Sequence, residues 1–172
     1  MSDQLWFEVG NCSVGKFLLA SSIRGIRCLW LGDDHQALTQ DFLAANPGSI
    51  QTIDQMPFEC KALGLLLAGT ISTYDVDVPF DVRGTPFQLR TWDAIRKIPR
   101  GRTWSYIELA DSIGAPTSAR AVAGACAANN IAVFIPCHRV IGASGALSGY
   151  RWGIDKKRHL LDIEAGVQSP AA

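Results

Sequence analysis

A cysteine and a histidine stand side by side at Cys137-His138, behind Pro136 and an apolar run over residues 131–135. A thiol beside an imidazole suits nucleophilic chemistry. A free cysteine titrates near ~8.5, so attack at neutral pH needs a base to take its proton. The pair alone does not decide the matter. Free cysteine is among the most buried residue types, and neighbours on a strand point to opposite faces. Cys137 can therefore equally be an inert core residue. A Cys–His pair also fits a hydrolase, which would want an oxyanion hole, and no sequence feature points to one.

The other cysteines are Cys12, Cys28, Cys60 and Cys126. None forms a CxxC pair and the total is odd, which speaks against a disulfide framework or a four-cysteine zinc site. Free thiols suit a reducing compartment. The first residues, MSDQLWFEVG, lack the basic stretch and apolar run of a signal peptide. No apolar stretch reaches the roughly 18 residues of a membrane span, so the expectation is a cytoplasmic protein with no membrane partner. The 16 Lys and Arg balance the 16 Asp and Glu. A nucleic-acid partner would need local basic patches instead. Arg96, Lys97, Arg100 and Arg102, with Arg139 and Arg151, make one candidate, and Lys156, Lys157 and Arg158 another.

The elements that must position this chemistry fall into two parts. Over residues 1–82 the reading is a small α/β domain. Apolar runs at 17–20 and 26–31 flank Ser21, Ser22 and Gly25 as a strand pair. Asp33-Asp34 starts a helix that stops at Asn46-Pro47-Gly48, and a second helix spans 57–68 before Gly69. Residues 74–82 alternate apolar and acidic positions, as a half-buried strand or linker. Over residues 83–172 the reading is mostly helical. Thr85 caps a helix with Pro86 in its first turn, and Pro99-Arg100-Gly101 breaks it. Ser105 and Glu108 form a capping box, with Trp104 and Leu109 as its staple, for a helix over 106–113. Gly114-Ala115-Pro116 turns the chain into a helix over 118–128.

This second helix places Ala119, Val122, Ala123 and Cys126 on one face and Arg120, Gly124 and Ala127 on another. Helix, short turn, helix is a helix-turn-helix pattern, and small residues permit close approach to another surface. By pattern alone, that surface is either a neighbouring helix or DNA. The tail predicts a strand over 131–135, a Gly-rich hairpin over 142–149, a last helix capped by Asp155 and reaching Glu164, and a frayed end over 166–172.

The run from Asn129 through Pro136-Cys137-His138-Arg139-Val140 resembles the active-site signature of the O6-alkylguanine-DNA alkyltransferases. Ser105-Tyr106 and Ala119-Arg120-Ala121-Val122 upstream, with Tyr150 and Glu164 downstream, sit at that family's spacing from the cysteine. The resemblance is strong over residues 83–165 and looser before. Leu31-Gly32-Asp33-Asp34 and Ser148-Gly149-Tyr150-Arg151-Trp152-Gly153 are most similar to the C-terminal half of bacterial adaptive-response proteins.

The resemblance implies an RNase H-like α/β first domain and a winged helix-turn-helix second domain. It implies direct-reversal repair of double-stranded DNA. O6-alkylguanine, chiefly O6-methylguanine and also O4-methylthymine, is flipped out and gives its alkyl group irreversibly to Cys137, one turnover per molecule. His138 and Glu164 would draw the thiol proton through a water, and Asn129 would hold the turn around the cysteine. Tyr106 would hydrogen-bond guanine, while Val140 and Tyr150 would wall the base pocket, with backbone amides near Val140 as further donors. Arg120 would enter the base stack, and Ser105, Ala119, Gly124 and Ala127 would lie on the DNA face. No cofactor and no obligatory protein partner are implied, and a monomer suffices.

Cys12, Cys28 and His35 do not reproduce the structural zinc ligands of some relatives, so no metal is expected. Arg151 and Trp152 are bulky where animal relatives are often small, which narrows tolerance for large adducts. The rival to alkyl transfer is a non-catalytic module that recognises alkylated DNA or regulates by binding DNA. Relatives that do not repair lack the cysteine, and this chain keeps it.

Overall fold

The computed structural model describes residues 4–73 and 75–166. Strands β1 (Trp6–Cys12), β2 (Gly15–Ser22) and β3 (Gly25–Gly32) pair antiparallel in sequence, and β4 (Ile50–Gln51) adds in parallel to β1. The sheet order is β3-β2-β1-β4. β2 lies inside, and its run Phe17-Leu18-Leu19-Ala20 is apolar on both faces because both are covered. Leu18 and Ala20 pack with Phe7, Leu38 and Phe42, the last two from helix α1 (His35–Ala45). Phe17 and Leu19 face the opposite way, into a larger core shared with α2 (Pro57–Ala68) and with residues of the C-terminal half.

The expected strand pair is present, and α2 has the expected bounds with Gly69 closing it at φ 76°. α1 opens on Asp34, whose carboxylate accepts the Ala37 N–H at 2.8 Å. β1 and β4 go beyond the sequence reading. The described part of residues 75–82 holds no strand, only a bridge from Phe80 to Ile26. Tyr74 and the tail beyond Gly166, where fraying was expected, lie outside the described residues.

The second half supplies α3 (Pro86–Arg96), β5 (Trp104–Ser105), α4 (Tyr106–Ser112), α5 (Ala119–Ala127), β6 (Val140–Ile141) and α6 (Ile154–Ala165). Two capping boxes start helices where the sequence places them, Thr85 with Gln88 for α3 and Ser105 with Glu108 for α4. The molecule is thus a four-stranded sheet with helices on it, followed by a chiefly helical half.

Three expectations fail here. Residues 131–135 are not a strand. Leu29 on β3 donates to Asn130 O at 2.9 Å and accepts from Ala132 N at 3.0 Å, and then the chain curls away. Val133 sits at φ 64°, and Phe134 N–H closes back on Ala132 O at 2.6 Å. A continuous apolar run reports burial and cannot tell a strand from a buried turn. Residues 142–149 form a turn, closed by Gly142 N–H on Ala146 O at 3.0 Å, but no hairpin. β6 pairs in parallel with β5 instead. Finally, α6 is entered through Gly153 at φ 99°, while Asp155 lies exposed in its first turn, where it favours the helix dipole rather than capping.

α5 is tied to α3 by one buried bond. The Trp92 indole N–H donates to Ala125 O at 2.8 Å, satisfying one of the last four carbonyls of α5. Trp92→Phe keeps most of the apolar volume and strands that carbonyl. Urea denaturation should show a loss of about 1–3 kcal/mol.

Candidate active site

Cys137 opens a 3-10 turn, Cys137–Arg139, and every residue from 131 to 140 is buried. An irregular segment with no access to water must satisfy its polar groups internally. Asn129, fully buried at the end of α5, does much of this. Its amide donates to Ile135 O at 2.9 Å and to the Cys137 sulfur at 3.2 Å, and its carbonyl oxygen accepts Ile131 N–H at 2.8 Å.

The adjacent side chains do not face one target. The Cys137 sulfur lines a cavity of about 420 Å³, together with Tyr106, Ala123, Cys126, Ala127 and the rim residues Ser148, Gly149, Tyr150 and Arg151. His138 turns inward, and its Nε2 lies 2.8 Å from Glu164 Oε1. Burial alone would raise the Glu164 carboxyl. Hydrogen bonds from His138 and Arg139 outweigh that and hold it at about 2. An ionised carboxylate only accepts, so Nε2 carries the proton. Burial lowers the His138 pKa below its ordinary value, against the pull of Glu164. The ring is therefore neutral near pH 7, and Nδ1 keeps its lone pair. Nδ1 has no hydrogen-bond partner among the described residues. Burial likewise pushes the Cys137 thiol up, so the resting sulfur is protonated.

Two cations that the sequence reading put on basic patches are internal. Arg139 is 4% exposed; its guanidinium grips both oxygens of Glu164 at 2.9 and 3.0 Å and donates to Ile98 O. Lys157 is 0% exposed and donates to Val140 O at 2.7 Å, Ser148 O at 3.1 Å and Gly149 O at 3.3 Å. Arg100 also turns inward, onto the carbonyls of Leu66, Leu67 and Ile163. Arg96 reaches Thr73 O and the Phe80 ring. Lys157 had a signal: by spacing it shares one face of α6 with the apolar Leu160. Arg139 had none. Cys126, read only as a helix-face residue, lies in the cavity beside Cys137.

The remaining predicted residues separate. Tyr106, Ala127 and Tyr150 join Cys137 in the cavity. The Tyr106 hydroxyl donates to Ser148 O at 3.2 Å. Tyr150 stands edge-on to His138, its hydroxyl buried without a partner among the described residues. Val140 is fully buried outside the cavity lining; its N–H closes the 3-10 turn on Cys137 O and its carbonyl holds Lys157. Its amide is therefore already used. Ser105 is the cap of α4. Arg120, Gly124 and Ala127 are exposed along α5, with Ala119 half-buried. A side chain added at Gly124 would meet nothing within 4 Å. Internal packing therefore gives no reason for a residue that costs a helix about 1 kcal/mol relative to Ala. Among the described residues, no group of three or more His, Cys, Asp or Glu could hold a metal, and no helix is long and apolar enough to cross a membrane.

The Glu164 carboxyl makes the acid limb of stability testable. Its folded pKa lies below the ordinary 4.5, so the unfolded chain binds the proton more readily. The stabilisation is complete above about pH 4.5 and is lost as pH falls towards 2. In guanidinium titrations across that window, Glu164→Gln should be less stable at pH 7 and show a flatter pH dependence than the parent. Parallel slopes would remove Glu164 as the group responsible.

The comparisons with known proteins agree with this geometry. Residues 86–166 match the family model described as the DNA-binding domain of 6-O-methylguanine DNA methyltransferase. The chain is 41% identical over 159 residues to the bifunctional transcriptional activator/DNA repair enzyme Ada of Escherichia coli, covering 92% of this chain and 45% of Ada. It thus spans about half the length of that relative. It is 36% identical to the inducible methylated-DNA–protein-cysteine methyltransferase of Bacillus subtilis, over 89% of this chain and 86% of that protein. The crystal structure of Mycobacterium tuberculosis OGT in complex with DNA superposes with a TM-score of 0.81 at 36% identity, covering 94% of each chain. With a buried cysteine on a cavity wall, a His–Glu pair behind it, and near-complete overlap with the Bacillus protein and the Mycobacterium fold, the chain belongs to the methylated-DNA–protein-cysteine methyltransferase family.

Proposed function

We propose that this chain repairs O6-alkylguanine in double-stranded DNA by moving the alkyl group onto Cys137. One observation carries the reading: the Cys137 sulfur lies on the wall of a base-sized cavity while the neighbouring His138 is held neutral with Nδ1 unpartnered. His138 Nδ1 takes the thiol proton through a water, and Glu164 steadies the positive ring that results. The thiolate attacks the saturated alkyl carbon, a carbon–sulfur bond forms, and the bond to guanine O6 breaks with its electron pair going to guanine. Guanine takes up a proton, balancing the one lost by the thiol. Water does not readily cleave the resulting thioether, so each molecule acts once. No metal or cofactor enters these steps.

Asn129 keeps the sulfur in place, and Tyr106 donates to the flipped base, exchanging its bond to Ser148 for one to guanine. Tyr150 and the residues around Val140 close the pocket. A stacked base hides its O6 substituent, so the nucleotide must leave the helix. Arg120 fills the gap, and Ser105, Ala119, Gly124 and Ala127 lie against the DNA. The bare surface at Gly124 supports this reading. Residues 1–82 act as an RNase H-like scaffold and 83–172 as a winged helix-turn-helix unit, in a cytoplasmic monomer. O4-methylthymine is a second substrate of the same kind.

Intact mass spectrometry after incubation with a duplex holding one O6-methylguanine should show one added methyl per chain, mapped to Cys137, and no second round. Cys137→Ala should keep DNA binding and lose transfer. Binding with unchanged parent mass would leave a recognition module, and repeated turnover would point to a hydrolase. Arg120→Ala should slow repair in duplex on the order of tenfold, because unstacking costs a few kcal/mol. The free base, which needs no flipping, should react at nearly the parental rate.

A further inference from the structure

We propose that Trp30, on the first sheet, sets how large an alkyl group the cavity admits by holding Arg151 on the cavity rim. This rests on the alkyl-transfer reading above. The rim runs through residues 142–153 with no helix or strand of its own. Its near side is pinned from within the site: Tyr106 and Lys157 both donate to Ser148 O, and Lys157 also reaches Gly149 O. Beyond Gly149 these tethers end. Tyr150, Arg151 and Trp152 then lie between Gly149 at φ 51° and Gly153 at φ 99°, two left-handed positions, in a turn closed by Gly153 N–H on Tyr150 O at 3.0 Å.

The far side is held by the first sheet. The Arg151 guanidinium carbon lies 5.8 Å from the centre of the Trp30 ring, within reach of a cation–π contact. Lys156, just past Gly153, bonds the Asp33 carboxylate at 2.6 Å at the end of β3. Trp30 is a firm anchor, because its ring stands edge-on to Phe42 at 5.6 Å on a strand paired along its length. Trp152 follows the same segment, edge-on to Tyr150 at 5.1 Å. Latched, the segment keeps Tyr150 and Arg151 over the cavity. Released, it can swing outward and make room for a bulky substituent, while the sulfur and its proton relay stay where they are. Trp30 is thus a positioning residue that acts through Arg151.

The test compares second-order rate constants on duplexes carrying O6-methylguanine or O6-benzylguanine. Trp30→Ala should raise the benzyl-to-methyl ratio about fivefold, the size of one exposed cation–π contact. Trp30→Phe, which keeps a ring, should stay within about twofold of the parent. Arg151→Met keeps an unbranched stem and removes the charge; it should match Trp30→Ala, and the double variant should add nothing further. Arg151→Met also decides the question if Trp30→Ala does not fold. An unchanged ratio in a folded single variant, or additive effects in the double, overturns the latch. A parent protein that consumes no O6-methylguanine would instead overturn the alkyl-transfer reading.

Discussion

An irregular segment buried on every side constrains everything near the site. From Ile131 to Val140 every residue is buried, yet the backbone there is neither helix nor sheet apart from a bridge at Ile131, the 3-10 turn and the start of β6. Each unpaired amide or carbonyl would cost about 1–3 kcal/mol. Leu29 of β3, Asn129 and Lys157 supply missing partners. Groups in and beside the segment also fix the chemistry. Asn129 reaches the sulfur, Arg139 sets the charge of Glu164, and Lys157 joins the 3-10 region to the cavity rim. Solving the folding problem of the segment and positioning its thiol are one task.

On the proposed reading, that coupling explains how a buried cysteine would act as a nucleophile. Burial holds the thiol protonated, so it is quiet at rest. In the proposed reaction the thiolate would form only as its proton passes to a neighbouring base. A carboxylate at about 2 and a neutral imidazole supply a base whose free nitrogen does not depend on solvent.

Local signals in the chain were readable where one rule decides the outcome. Thr85 with Gln88, Ser105 with Glu108, and Gly69 mark helix ends through hydrogen bonds made within a few residues. That Asn129 meets Cys137 and His138 meets Glu164 is legible only through family spacing, since no local pattern tells a reactive cysteine from a core one. What stayed hidden depends on contacts distant in sequence. The run 131–135 looks like a strand because its partners are distributed between β3 and the side chain of Asn129, and neither leaves a periodic trace. Arg139, Lys157 and Arg100 look like surface cations because the carbonyls they serve come from other parts of the chain.

These inward cations bear on what the balanced composition means outside. Lys157 and Arg100 face carbonyls rather than carboxylates, so positive charge counted in the neutral total is withdrawn from the surface. Glu8 and Asp81 are buried as Arg139 and Lys157 are, so the withdrawn charges balance and the solvent-facing shell stays close to neutral. Net charge then gives no long-range pull on a polyanion, and any attraction depends on exposed cations such as Arg120 and Arg151 meeting it locally. On the proposed reading, an encounter with a duplex would rest on shape and short-range contact along α5.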